Sequence, residues 1–291
     1  MATLRDIRNK IAAVKKTQQI TRAMNMVASA KLRGAQERME AFRPYAEKHG
    51  QVVRSVAARV TPDAHPLLIR REAKKAAILL VTADRGLCGS FNTNLIISAE
   101  KEVAARKERG QEVCFFNVGR KGRDLIRRRR MEIKEAYVDN RSVTYDLAAR
   151  IADEVVEAYL QEAMDEVVLI YSRFINVAIQ RPTKEILLPF APGEASGEGE
   201  AGETAVDYLY EPAPEVLLET VLPEQARVQV LHALLDNVTS EQAARMTAMD
   251  NATKNCKEIG EDLTLLFNKA RQAAITKELI DIVGGAEALH K

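Results

Sequence analysis

One stripe of positions opens this chain at alternating steps of three and four: Leu4, Ile7, Ile11, Val14, Gln18, Thr21, Asn25, Ala28, Leu32, Ala35, Met39 and Phe42. That spacing is the seam of a helix wound against another helix. A second stripe closes the chain: Val228, Leu231, Leu235, Val238, Gln242, Arg245, Met249, Ala252, Cys256, Ile259, Leu263, Leu266, Ala270 and Ala273, with Lys277 against it before Ile280. At about 1.5 Å of rise per residue, helices over 3–56 and 223–283 would run roughly 80 Å and 90 Å, too long for the inside of a globular domain. Each can supply the apolar face the other lacks. The pattern therefore predicts an antiparallel coiled coil with a folded domain inserted between its strands.

The middle of the chain has a different period. Pro44 predicts a kink or break near Arg43, and Thr61, Pro62, Asp63 and the His65–Pro66 pair mark a turn region where the first helix gives way. Residues 76–82, AAILLVT, read as a buried strand bounded by Asp84, Gly86 and Gly89. A helix over 92–108, a strand over 113–118, helices over 121–130 and 142–161, a strand over 166–171 and an extended segment over 178–190 follow. Strands alternating with helices of this length imply a largely parallel sheet. Residues 191–205, APGEASGEGEAGETA, carry no periodicity and read as a loop, 207–211 (DYLYE) as an edge strand, and Pro223 as the first turn of the last helix. The fold class is α/β: a long antiparallel coiled coil of N- and C-terminal helices with an inserted Rossmann-like α/β domain. Its segments are 1–60, the N-terminal helix, 61–212, the central domain, and 213–291, the C-terminal helix.

Composition narrows the function. Hydrophobic residues make up 46% of 291 positions, enough for a core, and Lys plus Arg at 43 nearly balance Asp plus Glu at 41, so net charge gives no reason to expect nucleic acid. The distribution is uneven: Arg5, Arg8, Lys10, Lys15, Lys16, Arg22, Lys31 and Arg33 face the single acid Asp6 in residues 1–33. This basic surface is either solvated, paired with the last helix, or met by an acidic partner. Cys88, Cys114 and Cys256 lie far apart without metal spacing, which suits free thiols in a reducing compartment. No apolar stretch approaches a secretory signal or a membrane span.

No chemistry assembles. TADRGLCGSFN, residues 82–92, puts two glycines between a strand and a helix, where α/β proteins bind phosphate, yet it lacks GxGxxG and the GK[ST] ending of a P-loop. GRKGR, residues 119–123, fails the same test, so both read as tight turns. Arg127–Arg130 reads as a solvated helix end rather than a nucleic-acid contact. His49, His65, His232 and His290 have no ligand or triad spacing, so no metal, cofactor, small-molecule substrate or catalytic group is expected. The coiled coil is the unusual part: around Ile20, Ala23, Met24, Met26 and Val27 apolar residues go all the way round the helix, while Gln18, Thr21 and Asn25 make the seam polar. Outward apolar faces on so long a helix predict enclosure by other subunits.

Those residues carry a resemblance. IRNKIAAVKKTQQITRAMNMVASAKLR, TADRGLCGSFNTNL, SRFINVAIQRPT, DYLYEP, SEQAARMTAMDNATKN and FNKARQAAITKELIDIVGGAEAL together resemble the gamma subunit of bacterial F-type ATP synthase over essentially the whole chain. The resemblance implies a rotor shaft standing in a hexamer of alpha and beta subunits. Its head would sit on the membrane c-subunit ring beside the epsilon subunit, peripheral to the cytoplasmic face of the bacterial cell membrane. Proton-driven rotation would then drive the beta sites through their states in turn, and ATP chemistry would belong to beta, with no catalytic residue here. It also implies that Arg271, Gln272 and Thr276 meet a catch loop of beta, and that Met24 packs near beta's acidic lever with Arg8, Lys10 and Arg22 as its basic partners. Tyr208, Tyr210 and Glu211 would form a foot on the c ring, and 280–289 would enter an apolar bearing. No cysteine pair lies in 191–205, so thiol switching is not expected. The competing class is a coiled-coil arm with a hinge-like head, which requires nucleotide-binding motifs at the chain ends; the sequence has none there.

Overall fold

The computed structural model describes residues 3–61, 63–140, 142–190 and 213–289. The first helix, α1 (Leu4–Ala57), follows Thr3 directly. The Thr3 Oγ1 accepts from the Asp6 N–H at 3.2 Å, and Asp6 Oδ2 accepts from the Thr3 N–H at 3.0 Å and the Thr3 hydroxyl at 2.8 Å. This reciprocal pair satisfies amides that the first turn leaves without helical partners. The break expected near Arg43 does not occur, because α1 runs through Pro44. A proline inside a helix costs about 3 kcal/mol. Buried Met39 on one side and Val53 and Val56 on the other each contribute about 1.5–3 kcal/mol, so packing exceeds that cost.

Strands and helices alternate next: β1 (Lys75–Val81), α2 (Phe91–Glu108), β2 (Glu112–Val118), α3 (Arg120–Arg128), β3 (Glu132–Tyr137), α4 (Tyr145–Leu160), β4 (Glu166–Phe174) and β5 (Gln180–Leu188). They form one sheet in the order β3-β2-β1-β4-β5, parallel except for the antiparallel β4–β5 pair. In the centre Leu79 stands opposite both Phe116 and Leu169. Every β1 residue after Lys75 is buried, which explains the unbroken apolar run that betrays this strand. Ile78, Leu80, Phe115, Val168 and Ile170 pack with Phe91, Leu95, Ala99 and Val103 of α2 and Ile126 of α3 into one core cluster.

The strand β3 is absent from the sequence reading. Within EIKEAY only Tyr137 is buried, and the strand pairs with β2 alone, so its sequence carries no apolar run. Helix α5 (Pro214–Leu289) also starts earlier than expected, with Pro223 in its interior rather than in its first turn. Leu218, Leu222, Gln225 and Ala226, all buried, continue the helical packing across Pro223. The expected loop at 191–205 and strand at 207–211 lie outside the described residues.

The chain divides into two compact units, Met1–Ala28 with Met246–Lys291, and Ser29–Arg245. In the first, the two helices run antiparallel: Arg8 stacks on Phe267, Val14 lies beside Gly260, Thr21 bonds Thr253 and Asn25 bonds Met246. As the α1 number rises the α5 number falls in step. The second unit holds the sheet, its helices and the remaining lengths of α1 and α5, which pair there in the same sense through His49 and Gln225, 2.8 Å apart.

Candidate partner-binding surface

Within the helical unit, the polar seam that set this sequence apart from a simple coiled coil is used for bonds between the helices. Thr21 is 8% exposed, and its hydroxyl lies 2.8 Å from that of Thr253, whose own contact to the Met249 carbonyl is 2.7 Å. Asn25 Nδ2 donates to the Met246 carbonyl at 2.9 Å. Buried polar groups with partners fix register where apolar ones would slide. The apolar residues displaced from the seam face outward: Ile20, Met26 and Val27 are each more than half exposed, at 52%, 57% and 56%.

The basic side chains share this surface. Arg8, Lys10 and Arg22 are exposed and Met24 is half-buried. Among the described residues no salt bridge joins the α1 cations of this unit to α5; the ion pairs of its α5 segment, Lys254–Asp250 and Lys257–Glu261, lie within α5 itself. The Arg8 guanidinium instead sits 5.6 Å from the centre of the Phe267 ring, a cation–π contact, while the residue stays exposed. Among the described residues, then, no salt bridge to the last helix neutralises this face.

The predicted site residues fall into two groups. Arg271 and Gln272 lie near the level of Thr3, since Arg8 already meets Phe267, and so belong at the same end as Arg8 and Lys10. Arg22 and Met24 stand about 20 Å further along α1 at helical rise. Thr276 lies past the first residue of α1, and its hydroxyl donates to the Gln272 carbonyl at 2.9 Å, an internal bond. Arg271, Gln272 and Thr276 are all exposed, as are Ile275, Leu279, Ile280, Ile282 and Val283 beyond. Tyr208, Tyr210 and Glu211 lie outside the described residues.

The α/β unit closes the positions where a phosphate would bind. The Arg120 amide donates to Asp84 Oδ1 at 2.8 Å, the Lys121 amide to the Ala83 carbonyl at 3.1 Å and the Gly122 amide to Thr82 Oγ1 at 2.9 Å. A carboxylate thus occupies the N-terminus of α3, and the first amides of that helix are already used. In the neighbouring loop the Ala83 amide donates to Asn92 Oδ1 at 3.0 Å. Arg245, a charge inside the predicted seam, holds that loop: its guanidinium donates to the Gly86 carbonyl at 3.2 Å and pairs with Glu241 at 2.7 Å. Burial pushes the Cys88 thiol up, so it is poorly nucleophilic. Arg129 at the end of α3 meets Glu100 at 3.1 Å, as a solvated helix end would.

Sequence reasoning missed other exposed apolar residues. Leu87, 64% exposed, adopts a positive φ of 63° in the β1–α2 loop, and Ile175, Val177 and Ile179 are exposed around the β4–β5 turn. Short loops have no period from which to predict a face, so only the fold reveals them.

Residues 3–289 match the family described as ATP synthase. The chain is 52% identical over 291 residues to the ATP synthase gamma chain of Maridesulfovibrio salexigens, covering 99% of each. It belongs to the ATP synthase gamma-chain family. The Syntrophobacter fumaroxidans gamma chain is 50% identical over 294 residues, with both chains covered in full. Among solved structures, a chain of the central stalk and c ring of the Tetrahymena thermophila mitochondrial ATP synthase is 27% identical, with a TM-score of 0.60 over 80% of this chain and 99% of that one. A chain of the Euglena gracilis mitochondrial ATP synthase, at 23% identity and a TM-score of 0.73 over 99% of this chain and 94% of that one, shares the fold. Members of the family are subunits of that complex. Among the described residues no helix is long and apolar enough to cross a membrane.

Proposed function

We propose that this chain is the central rotor shaft of an F-type ATP synthase. In that role it couples proton-driven rotation of the membrane c ring to sequential conformational change at the beta catalytic sites, and runs in reverse during ATP hydrolysis. The observation that carries the reading is the helical unit itself: a bonded polar seam inside and, outside, Ile20, Met26, Val27 and cations that form no salt bridge to α5 among the described residues. Such a surface offers different contacts to each member of a surrounding ring, and a partner shifts a conformational equilibrium only by differential contact.

In this reading the chain is a non-catalytic subunit at the cytoplasmic face of the bacterial membrane. Its partners are an alpha3beta3 hexamer, the epsilon subunit and the c ring. Residues 1–60 and 213–291 serve as the shaft and 61–212 as the head. Met24, Arg8, Lys10 and Arg22 meet the acidic lever of beta. Arg271, Gln272 and Thr276 meet its catch loop, and Tyr208, Tyr210 and Glu211 form the foot on the c ring. The closure of the α3 N-terminus by Asp84 supports assigning the nucleotide chemistry to the partners rather than to this head.

The test is reconstitution with alpha and beta subunits from the same source. ATPase activity dependent on this chain, at one copy per three of each partner, supports the rotor. Failure to assemble with folded partners overturns it and favours a coiled-coil arm with a hinge-like head. Within the active complex, Arg271→Ala with Gln272→Ala removes hydrogen bonds of about 1.5–3 kcal/mol each. Hydrolysis is expected to fall roughly tenfold or more. Wild-type turnover in that variant removes the catch assignment.

A further inference from the structure

Where α5 crosses the end of β4, in the α/β unit, the two are joined by polar groups that the rotor reading does not use. The Ser172 amide donates to Asn237 Oδ1 at 3.2 Å, and the Ser240 hydroxyl donates to the Ser172 carbonyl at 3.0 Å. One turn away lies Asp236. It is 2% exposed, the Phe174 amide faces its carboxyl, and its Oδ1 has no hydrogen-bond partner among the described residues. A buried carboxylate oxygen without a partner is costly when charged and tolerable when the group carries a proton.

Groups from each packed element face this carboxyl. Arg43 comes from α1, Arg173 and Tyr171 from β4 and Glu185 from β5, and the same Arg43 and Arg173 also act on His232, four residues earlier on α5. None of the cations forms a salt bridge with Asp236 among the described residues, and Arg43 and Arg173 have exposed side chains. Glu185 accepts from the Tyr171 hydroxyl at 2.8 Å, and burial pushes its carboxyl up. Burial, together with Arg43 and Arg173, holds His232 down to about 4, so it is neutral through the physiological range. Burial pushes Asp236 up to about 7 against the opposing pull of Arg43 and Arg173.

We infer that Asp236 is a protonation-sensitive latch between the sheet and α5: as the neutral acid it seals the junction at Ser172–Phe174, and on ionisation it loosens it. The folded value lies above that of an exposed aspartate, so the closed junction holds a proton that the opened one releases. Closure is therefore most favourable at low pH. It weakens as pH rises from about 4 to about 7, and levels off above.

The experiment is hydrogen exchange on the full chain at pH 6 and pH 8, corrected for the intrinsic pH dependence of exchange and read in 168–174 and 230–240. Protection in the wild type is expected to fall about tenfold between the two values, the ratio set by a group titrating near 7 in the closed state and near 4 in the open one. In Asp236→Asn, protection is expected to be the same at both. A wild-type fall of less than threefold, or an equal fall in the variant, overturns the latch. If Asp236→Asn does not fold, the Asp236 carboxyl carbon is followed by NMR in the wild type. A titration midpoint above pH 6 supports the latch, and one at or below pH 6 overturns it.

Discussion

Gly119→Ala is expected to destabilise the α/β unit by about 2–6 kcal/mol, a large fraction of the roughly 5–15 kcal/mol that holds an ordinary domain folded. The glycine ends β2 with φ at 92°, donates its amide to the Tyr137 carbonyl at 2.8 Å and starts α3. A Cβ placed there would meet the Thr82 carbonyl oxygen at 2.3 Å and its carbon at 2.7 Å. Both obstacles are backbone, so neither can swing aside. The unfavourable φ accounts for about 1–3 kcal/mol and the forced separation of β1 from β2 for a similar amount. Gly110→Ala is the internal control, since Gly110 also has positive φ, at 74°, but open space around it. That variant is expected to lose only about 1–2 kcal/mol. Urea unfolding of the full chain, followed by circular dichroism, checks both. Equal losses would show that the close approach to Thr82 carries no cost of its own.

Arg106→Ala is expected to cost about 3–5 kcal/mol in the same measurement. Arg106, 4% exposed, donates Nε to Glu102 at 2.8 Å, Nη2 to Glu166 at 2.5 Å and Nη1 to Gln111 at 3.1 Å. Gln111 in turn donates to the Ala73 carbonyl at 2.7 Å, and Lys184 of β5 reaches Glu102 at 2.8 Å. One guanidinium thus ties α2 to β4 and to the segment entering β1. Without it, the one salt-bridge partner left to buried Glu102 among the described residues is the half-exposed Lys184. Burial pushes the Glu102 carboxyl up, but Lys184 and Arg106 pull it down further, leaving it below the usual range. A depressed carboxylate stabilises above its unfolded value and loses that contribution as pH falls through the folded one. The gap between wild type and Arg106→Ala is therefore expected to narrow below about pH 4. A gap independent of pH would mean that the loss is packing rather than charge.

The site was partly legible before any fold was known. Polar Thr21 and Asn25 in an apolar stripe, with Met26 and Val27 outside it, already implied an unusual helix pair. The bonds to Thr253 and Met246 show why those polar residues are tolerated. The basic run of α1 was equally visible, but whether it paired with α5 was not, because charge order along two helices does not state their rotation about each other. His232 and Asp236 were invisible as a cluster. They draw their neighbours from α1, β4 and β5, and no local spacing records such an encounter.

By itself the sequence determined the long helices at both ends, the buried strands β1, β2 and β4, and the α/β class. The signal is a periodic apolar stripe in the helices and an unbroken apolar run in the strands, both of which the sequence encodes directly. It also held the family resemblance, later matched over residues 3–289. The tertiary structure alone decided the rest. It set the sheet order and the pairing of β3, an edge strand with little to bury. It carried α1 through Pro44 and α5 through Pro223, where packing on both sides outweighs a local penalty. It filled the N-terminus of α3 with Asp84 and left one oxygen of Asp236 without a partner. These are outcomes of distant residues meeting, and burial rather than local preference decides them.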